Sequence, residues 1–529
     1  METISDPEEQ PQPDQAEPWL RGMVSRRSML TSAGLAGVGA LAAGAFAGRI
    51  LLPERVSTTT AGPSSVATAS PSAGQASGGD ALADRTFVST KLTTPHVTSW
   101  STDHRAAPGL VFATPQGHGS AGVILDGASR PVWMEPGGAG VMDLRVQTFE
   151  GKPVLTYWQG TASEGGHGAG KGLILDTAYR NVASVSAGNG LSIDLHEFRL
   201  TAAGTALLIA YPTTQADLSA VGGPATGFML DCHVQEIDVR SGAVLLDWKA
   251  SDHIDLSETY ATPGGKLAKD GTTEANAFDP FHLNSVDDAG DALLVSSRHT
   301  HTLYLIGRTD GEVRWRMGGK KSDFTVAANA AFAWQHDARL RSATLISVFD
   351  NHFAEEASGT SRGLLLTIDQ TAKTVTLKQE FANAGHGGNA EGNVQILPNG
   401  NVMVGWGADP SATEFTADGT AVFEMAGIGN GCYRVYRFPW TAQPETPPSM
   451  AIKKGAGRSM QVFASWNGAT DVASWRILTG DSGSALKAAG TVPRRGFETM
   501  LAVASAKYAA VQALAADGTV LATSAVTAA

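Results

Sequence analysis

Six times between residues 109 and 427 the chain repeats one two-part unit, an apolar strand followed by a hairpin that turns after three or four apolar positions. The pairs are GLVFATP with GVILDGASRPVW (109–115, 122–133), PVLTYWQ with GLILDTAYRNVASV (153–159, 172–185), and ALLIAY with QEIDVRSGAVLLDW (206–211, 235–248). ALLVSSR follows with TLYLIGRTDGEVRW (292–298, 302–315), then ATLISVFDN with GLLLTIDQTAKTVTLKQEF (343–351, 363–381), and NVMVGWG with AVFEMAG (401–407, 421–427). Repeats of this length, each built of several short strands, point to radial β-sheets. Four later units add a strand in front (DLHEFRLTAAG, FHLNSVDDAG, WQHDARLRSA, GNVQILPNG), which makes four strands per unit. Solenoid β-helices have shorter and more even rungs. The expected fold is therefore all-β, a six-bladed β-propeller over residues 89–443, with a first blade whose inner strand the sequence does not place.

Composition agrees. The 529 residues include 61 Gly and only 17% charged side chains, so short apolar runs separated by turns dominate over amphipathic helices. A chain this long calls for more than one core. After Pro444, Pro447 and Pro448 the texture changes, and VFASWNGATDVASWRILTG, RGFETMLAVAS and YAAVQALAADGTVLATSAV alternate like a small β-sandwich, expected over 447–529. No titratable cluster falls there, which suits an accessory module.

The N-terminus reads as an address. Ser25-Arg26-Arg27-Ser28-Met29-Leu30 precedes the Gly/Ala-rich run TSAGLAGVGALAAGAFAG, and residues 1–56 resemble a twin-arginine (Tat) export signal with Ala45-Phe46-Ala47 suited to a signal peptidase. The run is close to the ~20 residues of a membrane span, so an uncleaved anchor is the alternative, and the membrane is a partner only in that case. Residues 57–88, rich in Ser, Thr, Ala and Pro, are expected to form a disordered linker. The net charge of −12 argues against nucleic acid as a partner, because no Lys/Arg stripe is available to displace counterions. Cys232 and Cys432 either pair or remain as buried thiols, and two cysteines cannot build a zinc site of the usual cysteine-rich kind.

Histidines recur in register. His196, His282, His336 and Asn393 each precede by four positions an apolar residue, namely Leu200, Val286, Leu340 and Leu397. Equivalent positions on the inner strands of a propeller converge near its axis, so three imidazoles and an amide are expected to share a pocket. Arg298 ends the neighbouring strand of the His282 unit and should reach the same place. Asn284 lies two residues beyond His282 and so on the same face, whereas Asp337 should point away as a packing carboxylate. Three histidines can bind zinc, but a permanent cation in the same cavity disfavours a dication. The expectation is an anion pocket, with no metal and no cofactor.

At this point FHLNSVDDAGDALLVSSRHTHTLYLIGRTDGEVRWRMGGKKSDF, followed by WQHDARL, resembles the PAPS-independent arylsulfotransferase (ASST-like) family, in its actinobacterial and fungal branch. The likeness covers about residues 100–440, with His-x-Asn, the distal Arg and the later His-Asp in the family's order. It implies an exported six-bladed propeller that moves a sulfuryl group from an aryl sulfate donor to a phenolic acceptor through a sulfohistidine. His336 resembles the nucleophile, while His196, His282, Asn284 and Arg298 resemble the residues that hold the sulfate oxygens. The chain departs from the family in a shorter spacing between Arg298 and His336 and in lacking an N-terminal β-domain. The chemistry is consistent with a neutral imidazole as nucleophile and with charge stabilisation as the main task of the protein.

Further substrate-binding residues are expected in Asn393, in His386 of the loop NAGHGGNAEGN, and in Trp334 and Trp406, which could stack an aryl ring. EGGHGAGKG lacks the Lys-Ser/Thr ending and following helix of a phosphate loop. A non-catalytic propeller, a binding module at the cell surface, is the rival reading. Catalysis requires His336 open to the channel with Arg298 close by.

Overall fold

A computed structural model describes residues 83–529 apart from 103, 120, 139, 164 and 353–359. The expected export signal and most of the expected linker lie outside the described residues. Among those described, no helix is long and apolar enough to cross a membrane. Among the described residues the fold is all-β, with only short 3-10 turns as helices and with antiparallel sheets apart from Thr325–Val326, which pairs in parallel with Thr374–Phe381.

Among the described residues six sheets follow the six repeats, the first four of four strands each and the fifth and sixth of five, with Thr325–Val326 and Thr98–Ser101 added at one edge. The second to the sixth each take four strands in chain order, as in Leu283–Asp288, Ala292–Ser297, Thr302–Gly307 and Val313–Gly318. The first sheet is assembled differently. Its strands Leu110–Ala113, Val123–Leu125 and Pro131–Met134 are completed by Val435–Phe438, which arrives from the far end of the repeat region and pairs with Leu110–Ala113. That is the strand the sequence could not place.

Each sheet packs on the next, and the sixth packs back on the first through Val402–Gly405 against Val435–Phe438. The middle strands, such as Thr205–Ala210, Ala292–Ser297 and Thr302–Gly307, are buried on both faces, which explains why they read as continuous apolar runs rather than alternating ones. In the fourth sheet Leu293 and Val295 face the third, where they join Leu207, Ile209 and Trp248. Ala292 and Leu294 face the fifth and meet Ile346, Val348 and Leu364. Similar clusters fill the remaining gaps between successive sheets. Fully burying one Leu or Val contributes about 1.5–3 kcal/mol, so these gaps are the main source of cohesion.

Just beneath the strand starts lies a fully buried ionic network. Glu197 approaches Arg145 (3.7 Å) and Arg339 (3.1 Å), and Asp337 pairs with Arg339 (2.8 Å) and Arg434 (2.9 Å). Asp337 also accepts the Val394 N–H (2.9 Å), which ties the fifth sheet to the sixth. It packs as a buried carboxylate, held there by ion pairs rather than by strand alternation, since its backbone is left-handed.

Beyond residue 448 two antiparallel sheets enclose Met460, Val462, Trp475, Ile477, Leu501 and Val511. Asn467 joins them to the first sheet through the Met134 N–H and carbonyl. The end of the expected linker is packed here too. The backbone N–H groups of Val88 and Ser89 donate to Glu498, and Phe87 meets Phe497 at 4.7 Å. Cys232 and Cys432 are both free and buried.

Candidate active site

The strand starts are where the histidines gather. His336 and Asn393 open their strands, His282 immediately precedes Leu283–Asp288, and His196 lies just before Phe198–Leu200. The backbone there is not plain strand. His282 and Asp337 are left-handed (φ 51° and 55°), and the ladders slip between Leu283 and Ser285 and between His336 and Arg339. Such bulges re-aim side chains, and left-handed residues other than Gly cost of order 1–3 kcal/mol each, which the surrounding packing must offset.

The rings of His196 and His282 are 4.9 Å apart. Tyr433 lies edge-on between His196 (6.0 Å) and His336 (5.4 Å), so the three histidines belong to one buried cluster. His167 joins it, 5.0 Å from His282 and 5.8 Å from His196, with Tyr211 4.4 Å away on its other side.

Hydrogen bonds fix the tautomers. Asn351 donates its amide protons to the carbonyls of Gly388 (2.8 Å) and Glu391 (2.9 Å), so its Oδ1 faces His336 Nδ1 at 2.7 Å. An amide oxygen only accepts, hence Nδ1 carries the proton and the Nε2 lone pair is left for chemistry. Burial, with Arg298 nearby, holds the His336 pKa well below the usual histidine range, so the ring is neutral at neutral pH. His282 Nδ1 is held by Asp279 (2.5 Å) and His196 Nδ1 by Asp194 (2.6 Å), and burial drives the His282 pKa down to about 3.

Arg298 is positioned by a residue that the sequence did not single out. His299 donates its Nδ1 proton to the Asp279 carbonyl (2.7 Å), which leaves Nε2 to accept from Arg298 Nη1 (2.9 Å). The guanidinium carbon lies 5.1 Å from the Trp334 ring, and Nε has no hydrogen-bond partner among the described residues. Burial lowers the Arg298 pKa to about 10, still cationic at neutral pH. This is a desolvated charge with an unused donor, as an oxyanion clamp needs.

Other expected residues take different places. Asn393 spends its side chain on the backbone of Val435, donating to the carbonyl (3.1 Å) and accepting the N–H (2.9 Å), so it closes the sixth sheet onto the first. Trp406 is fully buried between the fifth and sixth sheets against Phe349 and Phe415, and packs rather than binds. His386 is bound to Asp409 (2.9 Å) and Glu424 (3.5 Å), which raise its pKa to about 9, and it stacks on Trp406. Asn284 donates to the Gln335 carbonyl (2.7 Å), while its Oδ1 is buried without a hydrogen-bond partner among the described residues. Trp334 does lie in the cluster, with Arg298 on its ring and His301 at 4.4 Å. His336 is 1% exposed, so the expected opening toward a channel is closed by the surrounding side chains.

Sequence reasoning missed His167, Tyr211, Asp194, Asp279, His299, Asn351 and Tyr433. Asp-x-His at 194–196 and Asp-x-x-His at 279–282 were visible signals, as was His167 in the Gly-rich EGGHGAGKG. Tyr211 and Tyr433 had none.

The family model described as Arylsulfotransferase (ASST) matches residues 145–428, more than half of the chain. No curated protein matches. Among solved structures, a protein of unknown function from Bacteroides caccae is 12% identical, covering 62% of this chain and 98% of its own, with a TM-score of 0.36. A catalytically inactive virginiamycin B lyase from Staphylococcus aureus with quinupristin is 10% identical, covering 62% and 86%, with a TM-score of 0.26.

Proposed function

Because the chain belongs to the arylsulfotransferase family, we propose that it transfers a sulfuryl group from an aryl sulfate to a phenol through a sulfohistidine at His336. The observation that carries this reading is the pairing of an Asn351-locked His336, whose Nε2 lone pair is unused, with the partnerless Nε of Arg298. In the same reading the six sheets are the blades of a six-bladed propeller closed by Val435–Phe438. The clusters between successive sheets support that architecture, and residues 447–529 form its accessory β-sandwich.

In the first step Nε2 of His336 attacks sulfur, an N–S bond forms and the S–O bond to the aryl group breaks. The departing oxygen takes a proton from the imidazolium form of His196, which Asp194 stabilises. In the second step the now neutral His196 removes the proton of the phenol, whose oxygen attacks sulfur and breaks the N–S bond. Arg298 grips the non-bridging sulfate oxygens throughout. The twin-arginine segment carries the folded protein out of the cytoplasm.

The closed state of His336 favours the rival reading of a binding module, and one experiment separates the two. Full-length protein is incubated with an aryl sulfate and a phenol, and followed by mass spectrometry for sulfated phenol and a sulfuryl adduct. His336→Ala should lose both, a cost of several orders of magnitude, because no neighbour replaces the covalent intermediate. Turnover by that variant would remove His336 as nucleophile, and inactivity of the unaltered protein across varied donors and acceptors would favour the binding module.

A further inference from the structure

Beside His336 lies a second set of donors, which the transfer chemistry leaves partly unused. His167 Nε2 is 3.2 Å and His282 Nδ1 is 2.5 Å from the same atom, Oδ2 of Asp279. The three ligand atoms lie within 4.8 Å of one another, and all three residues are buried. Asp279 Oδ1 accepts the backbone N–H of His282 (3.0 Å), which aims Oδ2 between the two imidazoles. Asp194, in the neighbouring group with His167 and His196, differs. Both its oxygens are spent on backbone N–H groups, those of His196 (2.8 Å) and Gly168 (2.6 Å). Asp279 is therefore the carboxylate with an oxygen to give. His167 is 7% exposed, and its Nε2 faces Asp279 Oδ2, the side on which a shared ion would sit.

One of the two distances, and the charge, fit a cation. Bonds of 2.0–2.2 Å to a tetrahedral ion set its donor atoms roughly 3.3–3.6 Å apart. The His167–Asp279 separation already has nearly that value, and the His282–Asp279 contact needs to lengthen by about 1 Å. The sequence argument against a dication rested on Arg298. Two buried carboxylates, Asp194 and Asp279, change that balance. Adding a sulfate monoester to Asp194, Asp279, Arg298 and the imidazolium form of His196 leaves one negative charge unmatched.

We propose that His167, Asp279 and His282 bind one divalent transition-metal ion, which displaces to solvent the Nδ1 proton that His282 otherwise donates to Asp279, with zinc the best match to two imidazoles and a carboxylate. Three protein ligands leave a fourth position open toward the cavity, where a sulfate oxygen would meet the ion.

The test uses the full-length protein stripped with a chelator and titrated with Zn²⁺ by calorimetry and with Co²⁺ by absorbance. One equivalent should bind, and cobalt should show the visible bands of a four-coordinate nitrogen and oxygen site. His167→Ala and Asp279→Asn should each weaken binding by at least about 100-fold, with His96→Ala, on the exposed surface, as the unaffected control. Absence of cobalt bands in the unaltered protein overturns the proposal, whether or not the variants fold. So does binding that His167→Ala leaves intact while circular dichroism shows a native fold. Metal binding without sulfuryl transfer supports the site and counts against the proposed reaction. Full-rate transfer by stripped protein that never binds cobalt does the reverse.

Discussion

Replacing Asn351 with Ala tests whether the tautomer of His336 matters. The side chain makes three hydrogen bonds: it accepts from His336 Nδ1 at 2.7 Å and donates to the carbonyls of Gly388 and Glu391 at 2.8 and 2.9 Å. His336 is 1% exposed, so its Nδ1–H would be left without a partner or would move to Nε2, the atom that must attack sulfur. Orphaning one buried donor costs about 1–3 kcal/mol. Charged to the transition state, that range lowers kcat by roughly 5- to 150-fold, with KM little changed because the sulfate clamp is untouched. The same bond raises the imidazole pKa against burial and Arg298, so its loss should also move the acid limb of the pH–rate profile to lower pH. Stopped-flow measurement of adduct formation, beside steady-state rates from about pH 5 to 9, reads both effects. The two abandoned carbonyls should lower the melting temperature, which circular dichroism records separately. A stable Asn351→Ala protein with unaltered kcat and pH profile would refute the idea that this amide sets the reactive nitrogen.

Three other outcomes follow, two from the structure and one from the sequence. Arg298→Lys should keep some adduct formation yet lose most turnover, because an ammonium retains charge without the planar fork that His299 and Trp334 hold in place, and equal rates would remove the clamp. His386 has its pKa raised to about 9 by Asp409 and Glu424, against about 6.5 in an unfolded chain, so its contribution to stability is complete below about pH 6.5 and lost as pH rises through 9. The melting temperature should fall over that interval, and His386→Gln should abolish this part of the dependence. Replacing Arg26 and Arg27 with Lys should retain the protein inside the cell, and normal secretion would show that the segment is not a twin-arginine signal.

The sequence by itself determined the repeat, because strands buried on both faces must be apolar throughout and the turns between them must carry Gly, Asp or Asn. It also placed His196, His282, His336 and Arg298 together, since a register counted from an apolar strand position is a local property that survives folding. Tertiary structure decided whatever depends on a distant stretch of chain. Val435–Phe438 completes a sheet begun more than three hundred residues earlier, and that closure takes the Asn393 amide away from the pocket that its register suggested. Tyr433 enters the cluster only because the same returning segment brings it there. The reactive nitrogen of His336 is set by Asn351, which in turn is held by the loop carbonyls of Gly388 and Glu391. Even the direction of the histidines departs from strand alternation, because left-handed residues at His282 and Asp337 break the two-residue period at the positions where the site is built. Local pattern fixes which residues arrive at the strand starts and, through Asp194 and Asp279, holds His196 and His282; for His336 the segment that carries Asn351 fixes which nitrogen bears the proton.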